Sequence, residues 1–284
     1  NVILENISTK KTLTLAKNVE YSFESIPVKW SPDSSFLIYE NNNNLYFLDT
    51  KEIFNSTNLS ENYRKIGSGT INSIHWANAK QLIYINYDMV YKIATNELYT
   101  RSLYADMVGT GKIAGRLPTP INSLKDKFWT DSTGSKIILV QNNKTLWYIE
   151  VNGIDKTMSK PLVSYPFITI PTGVTNFHIF WTPEDKGFQL PLVWLEVYES
   201  GKKNSYLYKL ASSSEQNNSY FQQLTLPPYV HSPKLSPDGK ALAFIDEKAL
   251  HIYDIFTWKQ NAFFANEKVV SYQWIDKKAL YVGG

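Results

Sequence analysis

The sequence predicts an all-β fold built from six similar units in series, and two observations lead to this prediction. First, an apolar residue followed by a polar turn recurs along the whole chain of 284 residues. The six markers of this repeat are Trp30, Trp76, Trp129, Trp181, Leu235 and Trp274. Second, the markers are followed by short runs of β-branched and aromatic residues. Successive markers are roughly 40–55 residues apart, which is typical of repeats that each form one four-stranded sheet.

Within the five complete units, the apolar runs predict the strands in order. Each marker closes a short inner strand, and its side chain is expected to pack between neighbouring sheets. The second and third strands are predicted at 36–39 and 45–49, 81–85 and 90–93, 137–140 and 146–149, 192–195 and 206–210, and 241–245 and 250–254. Turn residues such as Asn41–Asn44 separate the two strands of a pair, as in antiparallel hairpins. Less apolar outer strands are predicted at 64–66, 98–103, 162–163, 221–225 and 262–264.

The sixth unit is divided between the two ends of the chain. The C-terminal end supplies inner strands at 272–274 and 279–282, and the N-terminal end supplies outer strands at 2–5 and 12–15. Joined, they complete one sheet and remove an open edge that would favour aggregation. The sequence therefore predicts a six-bladed β-propeller whose last blade is shared between the N-terminal and C-terminal strands. Residues 1–284 are expected to form one domain, alone or within a larger protein. The alternative is a truncated chain that breaks inside a blade at each end.

A family resemblance supports this fold. The segment Ser236-Pro237-Asp238-Gly239, followed by an apolar strand, resembles the Ser-Pro-Asp-Gly repeat of TolB-type, WD-like β-propellers. The segment Trp30-Ser31-Pro32-Asp33 is a second good copy, and the other four copies are degenerate. The resemblance implies a propeller in which proline and aspartate shape the turn and glycine adopts a positive φ. It implies no particular function, because the same repeat occurs in the propellers of prolyl-oligopeptidase-type peptidases.

Composition excludes several classes of protein. The net charge is only +3, and basic and acidic residues are interspersed, so no nucleic-acid surface is expected. No apolar stretch reaches the roughly 18 residues of a membrane span. The chain has no cysteine, which excludes disulfides, cysteine nucleophiles and thiolate metal sites. The chain begins at Asn1 and not at Met, which indicates processing or excision from a longer chain, and we expect an exported protein (periplasmic, extracellular or lumenal).

The search for catalytic and metal-binding motifs is mostly negative. The chain lacks a nucleophile elbow, a zinc-binding histidine motif and a phosphate-binding loop. His251 lies in a predicted third strand and is expected to be structural. His75 and His178 lie in predicted inner strands and could meet in the channel as a pair of metal ligands, but their strands belong to units that are two apart. We therefore predict no catalytic residue, no metal site and no cofactor.

Three long loops are the predicted binding surface. They span 104–123, 152–175 and 211–231, and we expect each to connect an outer strand with the next inner strand, on the face that surrounds the channel. Long loops on a rigid scaffold are usually functional or disordered, and tyrosine and arginine are favoured at interface hot spots. The candidate binding residues are Tyr104, Arg116, Tyr165, Phe167, Tyr220, Tyr229 and His231. The alternative is that these loops only cover the ends of the sheets.

Two functions are compatible with this pattern. The first is a non-catalytic scaffold that binds a protein or peptide partner through the loop face, with an oligomeric state that the sequence leaves open. The alternative is a hydrolase, or the gating propeller domain of a serine peptidase. It requires a catalytic domain outside this chain or acids and histidines clustered at the channel, where the acidic candidates Glu24 and Asp126 are scattered.

Overall fold

The computed structural model describes residues 2–16, 27–54, 63–95, 112–117, 119–122, 124–151, 162–183, 189–210, 221–246, 249–265, 269–276 and 280–283. Across these segments the fold is all-β, with a short helix α1 (Thr50–Ile53) and a 3₁₀ turn at Ile71–Ser73. The strands form five four-stranded and two two-stranded antiparallel sheets. No helix in the described part of the chain is long and apolar enough to span a membrane. The chain divides into two compact units, Asn1–Pro166 and Phe167–Gly284.

The first unit contains a two-stranded N-terminal pair and three four-stranded sheets. The N-terminal pair is β1 (Val2–Glu5) and β2 (Thr12–Ala16). Sheet 1 contains β3 (Val28–Trp30), β4 (Phe36–Asn41), β5 (Asn44–Asp49) and β6 (Tyr63–Ser68). Sheet 2 contains β7 (Ile74–Asn78), β8 (Gln81–Asn86), β9 (Met89–Ala94) and β10 (Lys112–Arg116). Sheet 3 contains β11 (Lys127–Thr130), β12 (Lys136–Gln141), β13 (Thr145–Glu150) and β14 (Val163–Thr169), and the division of the chain falls within β14.

The second unit contains two four-stranded sheets and a two-stranded C-terminal pair. Sheet 4 contains β15 (Val174–Trp181), β16 (Pro191–Glu199), β17 (Lys202–Leu210) and β18 (Phe221–Leu224). Sheet 5 contains β19 (His231–Leu235), β20 (Ala241–Ile245), β21 (Ala249–Asp254) and β22 (Gln260–Ala265). The C-terminal pair is β23 (Ser271–Trp274) and β24 (Leu280–Gly283).

Neighbouring strands in every sheet follow one another in the chain, so each four-stranded sheet is a simple antiparallel meander. The predicted second and third strands of all five complete units are confirmed. A series of four-stranded meanders is the arrangement from which β-propellers are built.

The Ser-Pro-Asp-Gly turn has the geometry that the sequence predicts. The hydroxyl of Ser236 donates to Oδ1 of Asp238 (2.7 Å) and accepts the N–H of Ala241 (2.9 Å). Gly239 has a φ of +70°, and a Cβ there would lie 2.9 Å from Cγ of Pro183. Position 239 therefore favours glycine for both conformation and space.

The core lies between consecutive sheets. In the first unit, Ile38 and Phe47 of sheet 1 pack in one cluster with Trp76 of sheet 2. In the second unit, Trp194 of sheet 4 packs against Phe244 of sheet 5, with ring centroids 5.2 Å apart. The marker Trp76 is buried, as predicted, but Trp30 is 46% exposed. The prediction of a core role is wrong for Trp30. Trp76 contacts the inner strand of the preceding sheet, whereas among the described residues of the first unit no inner strand precedes Trp30.

A reciprocal contact joins the inner strands of neighbouring sheets, and among the described residues each unit contains one example. In the first unit, Nζ of Lys29 donates to the carbonyl of Ile74 (2.6 Å), and the indole N–H of Trp76 donates to the carbonyl of Lys29 (3.2 Å). In the second unit, Nζ of Lys234 donates to the carbonyl of Tyr272 (2.6 Å), and Trp274 donates back to Lys234 (3.1 Å). Strand β23 is thus held against sheet 5 in the same way as β7 is held against sheet 1.

Each two-stranded pair covers one four-stranded sheet of its own unit. Leu13 and Leu15 of the N-terminal pair pack on Leu37 and neighbouring residues of sheet 1, and Tyr272 of the C-terminal pair packs on sheet 5. Through residues 2–283 the two pairs are separate sheets, and no closed sheet is present in the described chain. The six-bladed ring with a shared blade therefore stays a prediction, as does the single domain.

The predicted bounds of the three long loops are wrong, because each range contains an outer strand: β10 (Lys112–Arg116), β14 (Val163–Thr169) and β18 (Phe221–Leu224). The predicted outer strand at 221–225 is confirmed, the one at 162–163 is confirmed only at its end, and β10 was not predicted. Strand β10 contains a register shift before Gly115, which interrupts the two-residue alternation, and β14 contains Pro166, which is unusual within a strand. The connections from β14 to β15 and from β18 to β19 are short. More residues separate the third strands from the outer strands, and most of these residues lie outside the described part of the chain. The predicted strand at 98–103 lies outside the described residues.

Candidate functional site

Polar and aromatic side chains of the second unit meet at one edge, where β15 and β19 begin and the β16–β17 hairpin turns. Antiparallel pairing places Val174, at the start of β15, opposite Val197, near the end of β16. A hydrogen bond from Ser232 to Glu196 then brings the start of β19 to the same edge. We call this region the rim site. It is built from the ends of regular strands, which position its side chains.

Glu196 is the electrostatic centre of the rim site. Its Oε1 accepts the backbone N–H of Ser232 (2.9 Å) and lies 3.6 Å from Nε2 of His178. Burial acts to raise the pKa of Glu196, but the side chain of His178 and the N–H of Ser232 outweigh it and lower the pKa to about 2. The carboxylate is therefore ionised at any physiological pH, and it links sheet 4 to sheet 5.

A corresponding link occurs in the first unit. Glu40 also lies on a second strand, β4, and its Oε2 accepts the N–H of Ile71 at the entry to sheet 2 (2.8 Å). It lies three residues beyond the partner of Trp30, whereas Glu196 lies five residues beyond the partner of Trp181. Both units thus contain a second-strand glutamate that holds the entry to the next sheet. In sheet 4, the glutamate also contacts a histidine, His178.

The start of β19 is an anchored irregular segment. The pairing with β20 shifts register between His231 and Lys234, and Ser232 has a φ of +56°. The carbonyl of Ser232 accepts a hydrogen bond from the hydroxyl of Tyr272, and Oγ of Ser205 donates to the carbonyl of Val230 (2.6 Å). Backbone in a sparsely populated conformation persists only when its surroundings hold it, and it is common at functional sites.

The start of β19 also brings an imidazole beside a hydroxyl. Nδ1 of His231 lies 2.8 Å from Oγ of Ser232, as a general base would lie beside a nucleophile. Burial and the charge of Lys203 lower the pKa of His231, which keeps its ring neutral, and no carboxylate among the described residues is hydrogen-bonded to this ring. No group of three described His, Asp or Glu residues could hold a metal ion. A neutral imidazole and a hydroxyl can still donate and accept hydrogen bonds from a ligand.

An exposed aromatic and basic ridge lies beside these groups. Tyr229 is 41% exposed and has a φ of +61°, and Nζ of Lys202 lies 4.3 Å from the centroid of its ring. Tyr198, near the end of β16, is 56% exposed. Strands β16 and β17 have nine residues each, compared with six in β4 and β5. The β16–β17 hairpin is therefore longer than its counterpart in sheet 1, and it presents Tyr198 and Lys202 to solvent.

A groove of about 390 Å³ lies next to this ridge. Its two sides come from β17 and from the segment that leaves β18. It is lined by Asn204, Ser205, Tyr206, Gln223, Leu224, Thr225, Leu226, Pro227 and Pro228. No lining residue carries a formal charge, so the groove suits a partner with uncharged side chains along its length.

The structure brings together only part of the predicted binding residues. Tyr229 and His231 both belong to the rim site. Arg116 ends strand β10 in the first unit, where its Nε lies 3.1 Å from Oδ2 of Asp88, so its assignment to a loop is wrong. Tyr165 and Phe167 lie in strand β14 and not in a loop. Tyr104 and Tyr220 lie outside the described residues. No observation tests the binding role of any of these seven residues.

Sequence reasoning missed the centre of the rim site. Glu196 was not singled out, and His178 was considered only as a metal ligand. One signal was available, since a glutamate directly follows the apolar run of the predicted second strand at both 36–39 and 192–195. The structure also describes two other residues that the sequence analysis considered. His251 is buried and its Nε2 lies 2.9 Å from Oδ2 of Asp246, as expected for a structural histidine. The carboxylate of Asp126 accepts backbone N–H groups.

Comparisons with known proteins concern the fold. No protein-family model matches the chain, and no curated protein has a matching sequence. The structure of the Dos1 propeller is 14% identical over 85% of this chain and 61% of its own, with a TM-score of 0.46. Hsv2p of Kluyveromyces lactis is 10% identical over 90% and 70%, with a TM-score of 0.45. A eukaryotic initiation factor is 10% identical over 95% and 60%, with a TM-score of 0.52. The chain thus spans about three fifths of the length of two of these proteins, and it is similar to them at the level of fold alone.

Proposed function

We propose that this chain is a six-bladed β-propeller with a shared last blade, and that it acts as a non-catalytic scaffold that binds a protein or peptide. The inter-sheet contacts support the shared blade. The contact between Lys234 and Trp274 holds β23 on sheet 5 as an inner strand is held elsewhere, and the N-terminal pair packs on sheet 1. The Ser-Pro-Asp-Gly turns agree with a TolB-type repeat.

One observation carries the binding function: a projecting ridge of exposed tyrosines and lysine lies beside an anchored backbone segment. Tyr229 and Lys202 contact each other while both remain accessible. A cation over an exposed aromatic ring contributes only about 0.5–1 kcal/mol, so the pair can rearrange around a ligand at low cost. Tyrosine supplies large contact area with little loss of conformational entropy. The anchored segment that follows Tyr229 reduces the ordering cost of binding.

Peptide selection tests this function. A displayed library of random twelve-residue peptides is panned on the intact protein, and the affinity of the selected peptides is measured by fluorescence anisotropy. Y229A is expected to weaken binding at least tenfold. The matched control is Y87A, because Tyr87 is also exposed and also has a positive φ of 59°, but lies in the first unit. Equal affinities for the two variants, or a failure to enrich any peptide, would contradict the proposal.

The contact between Ser232 and His231 favours the alternative function, a hydrolase, and it is tested directly. A hydrolase with an activated serine reacts covalently with a fluorophosphonate probe. We expect no labelling of the wild-type protein at Ser232, as judged by intact mass. Labelling that disappears in S232A would establish a nucleophile and replace the scaffold function.

A further inference from the structure

Strand β17 is covered by an outer strand along only part of its length. Its residues from Lys202 to Lys209 all pair with β16, whereas β18 pairs only with Leu207–Leu210. The part of β17 from Lys202 to Tyr206 therefore has an edge without a strand partner in the described chain.

The turn of the β16–β17 hairpin determines which main-chain N–H and C=O groups of β17 point to this edge. Ser200 and Gly201 form a two-residue turn with positive φ angles of 50° and 81°, which makes Glu199 and Lys202 its hydrogen-bonded closing pair. In an antiparallel pair, alternate residues direct their N–H and C=O groups toward the partner. Lys203 and Ser205 therefore direct these groups away from β16, toward the open edge.

The hydrogen bonding of Ser205 agrees with this assignment. Its N–H is accepted by Oδ1 of the neighbouring Asn204 at 3.0 Å and not by a strand. A local side-chain acceptor of this kind competes with a ladder bond and can be displaced by one. The open edge thus offers two donors and two acceptors at the spacing of a β-ladder.

The groove described above runs beside the same edge. Leu224 is the last residue of β18 that pairs with β17, and Pro227 and Pro228 follow it in the wall of the groove. Proline has no N–H to donate, so these two residues cannot extend β18 along the edge. The groove therefore occupies the position of a missing continuation of β18.

The charges at one end of the groove indicate which ligand fits. The lining is uncharged, whereas Lys202 and Lys203 lie at the hairpin end and are exposed. Lys202 forms no salt bridge within the described residues. A strand that continues the direction of β18 runs antiparallel to β17, so its C-terminal end lies at the hairpin. Acidic groups at that end complement the two lysines.

We propose that the groove binds an extended peptide with an acidic C-terminal end as an additional strand, paired with Lys203 and Ser205. This rests on the proposed function and names the ligand of the same surface. Main-chain hydrogen bonds supply affinity in strand addition, and pockets for alternate side chains supply specificity. Val or Thr residues in the peptide would face Tyr206 and Leu226 of the groove.

Backbone methylation of a defined probe tests the pairing. The probe is the hexapeptide acetyl-VTVTDD with a free C-terminus and a fluorescent label at its N-terminus, and binding to the full chain is measured by anisotropy. N-methylation of one set of alternate residues is expected to weaken binding at least tenfold. Methylation of the other set is expected to change the affinity by less than threefold, because those N–H groups face away from β17.

A protein variant provides the matching test. K203P removes an edge N–H without affecting the pairing with β16, and K203T removes the same charge but keeps the N–H. K203P is expected to weaken binding at least tenfold relative to K203T. Circular dichroism confirms that both fold.

The outcomes separate this proposal from the proposed function. Equal effects of the two methylated sets, or equal affinities of K203P and K203T, overturn the strand addition, even if Y229A still abolishes binding and the scaffold function holds. Binding of library-selected peptides without any binding of the hexapeptide also overturns it. Dimerisation of the chain that K203P abolishes and the hexapeptide does not affect would make a second copy the occupant, which overturns it as well. Failure of both the library and the hexapeptide overturns both proposals.

Discussion

Replacing Glu196 by glutamine tests the electrostatic anchor of the rim site. The carboxylate contacts the N–H of Ser232 and the side chain of His178. Although burial opposes ionisation, these contacts lower the pKa from 4.5 to about 2. Because the folded-state pKa is the lower one, the unfolded chain binds a proton that the folded chain does not bind. The stabilisation is therefore present above about pH 4.5 and is lost as the pH falls toward about 2.

The expected magnitude follows from the same numbers. One pKa unit corresponds to about 1.4 kcal/mol, so a change from 4.5 to about 2 sets an upper limit of about 3 kcal/mol. Solvent reaches part of the carboxylate and screens it, which reduces the contribution to about 1–2 kcal/mol at pH 7. Glutamine keeps a neutral acceptor for Ser232, so the loss in E196Q stays within that range.

Urea unfolding, followed by the fluorescence of the eight tryptophans, measures this effect at pH 7, 4.5 and 3. E196Q is expected to be about 1–2 kcal/mol less stable than the wild type at pH 7, and the difference is expected to shrink at pH 3. Other carboxylates with lowered pKa values are common to both proteins and cancel in the difference. E40Q, which weakens the glutamate link between sheet 1 and the entry to sheet 2, is the matched control. A difference for E196Q that is constant from pH 7 to pH 3 would refute the electrostatic account.

Three further changes test the fold. G239A is expected to cost at least about 2 kcal/mol in urea unfolding, since φ is +70° and the new Cβ would lie 2.9 Å from a proline ring. G201A has a φ of +81° with open space around it and should cost only about 1 kcal/mol; equal losses would contradict the steric argument. Burial lowers the pKa of Lys29 to about 8, so stability should rise between about pH 8 and 10.5, and K29M should flatten that rise. In a chain without cysteine, I3C combined with V282C should form an intramolecular disulfide, detected by mass, if the two ends share a blade; a chain that stays reduced under mild oxidant would argue against closure.

Local patterns were sufficient to predict most of the sheets. Hairpins such as β4–β5 combine apolar runs on both strands with a turn at Asn42 and Asn43, whose positive φ angles of 50° and 56° match that composition. The outer strand β10 was missed, because its register shifts before Gly115. A bulge of this kind interrupts the two-residue alternation from which a strand is predicted.

The rim site could be predicted only in part, and the reason is its construction. Tyr229 and His231 are close in sequence, and their segment was predicted from its tyrosine, prolines and histidine. Glu196 and His178 belong to two strands that meet through sheet pairing, and Glu196 reaches Ser232 across 36 positions of the chain. The composition of a segment does not reveal such a contact. A single glutamate in an apolar strand is equally compatible with a binding site and with a structural link such as that of Glu40.

The rim site and the C-terminal strands depend on each other physically. The hydroxyl of Tyr272, in β23, contacts the carbonyls of both Ser232 and Ala243, and burial raises its pKa, so it remains a donor at physiological pH. Lys234 holds β23 in turn, through the carbonyl of Tyr272. The backbone conformation of Ser232 therefore depends on β23 being in place. If the N-terminal pair completes the last blade, the blade that closes the ring also supports the segment that binds the partner, so the affinity of the site and the stability of the closure should change together.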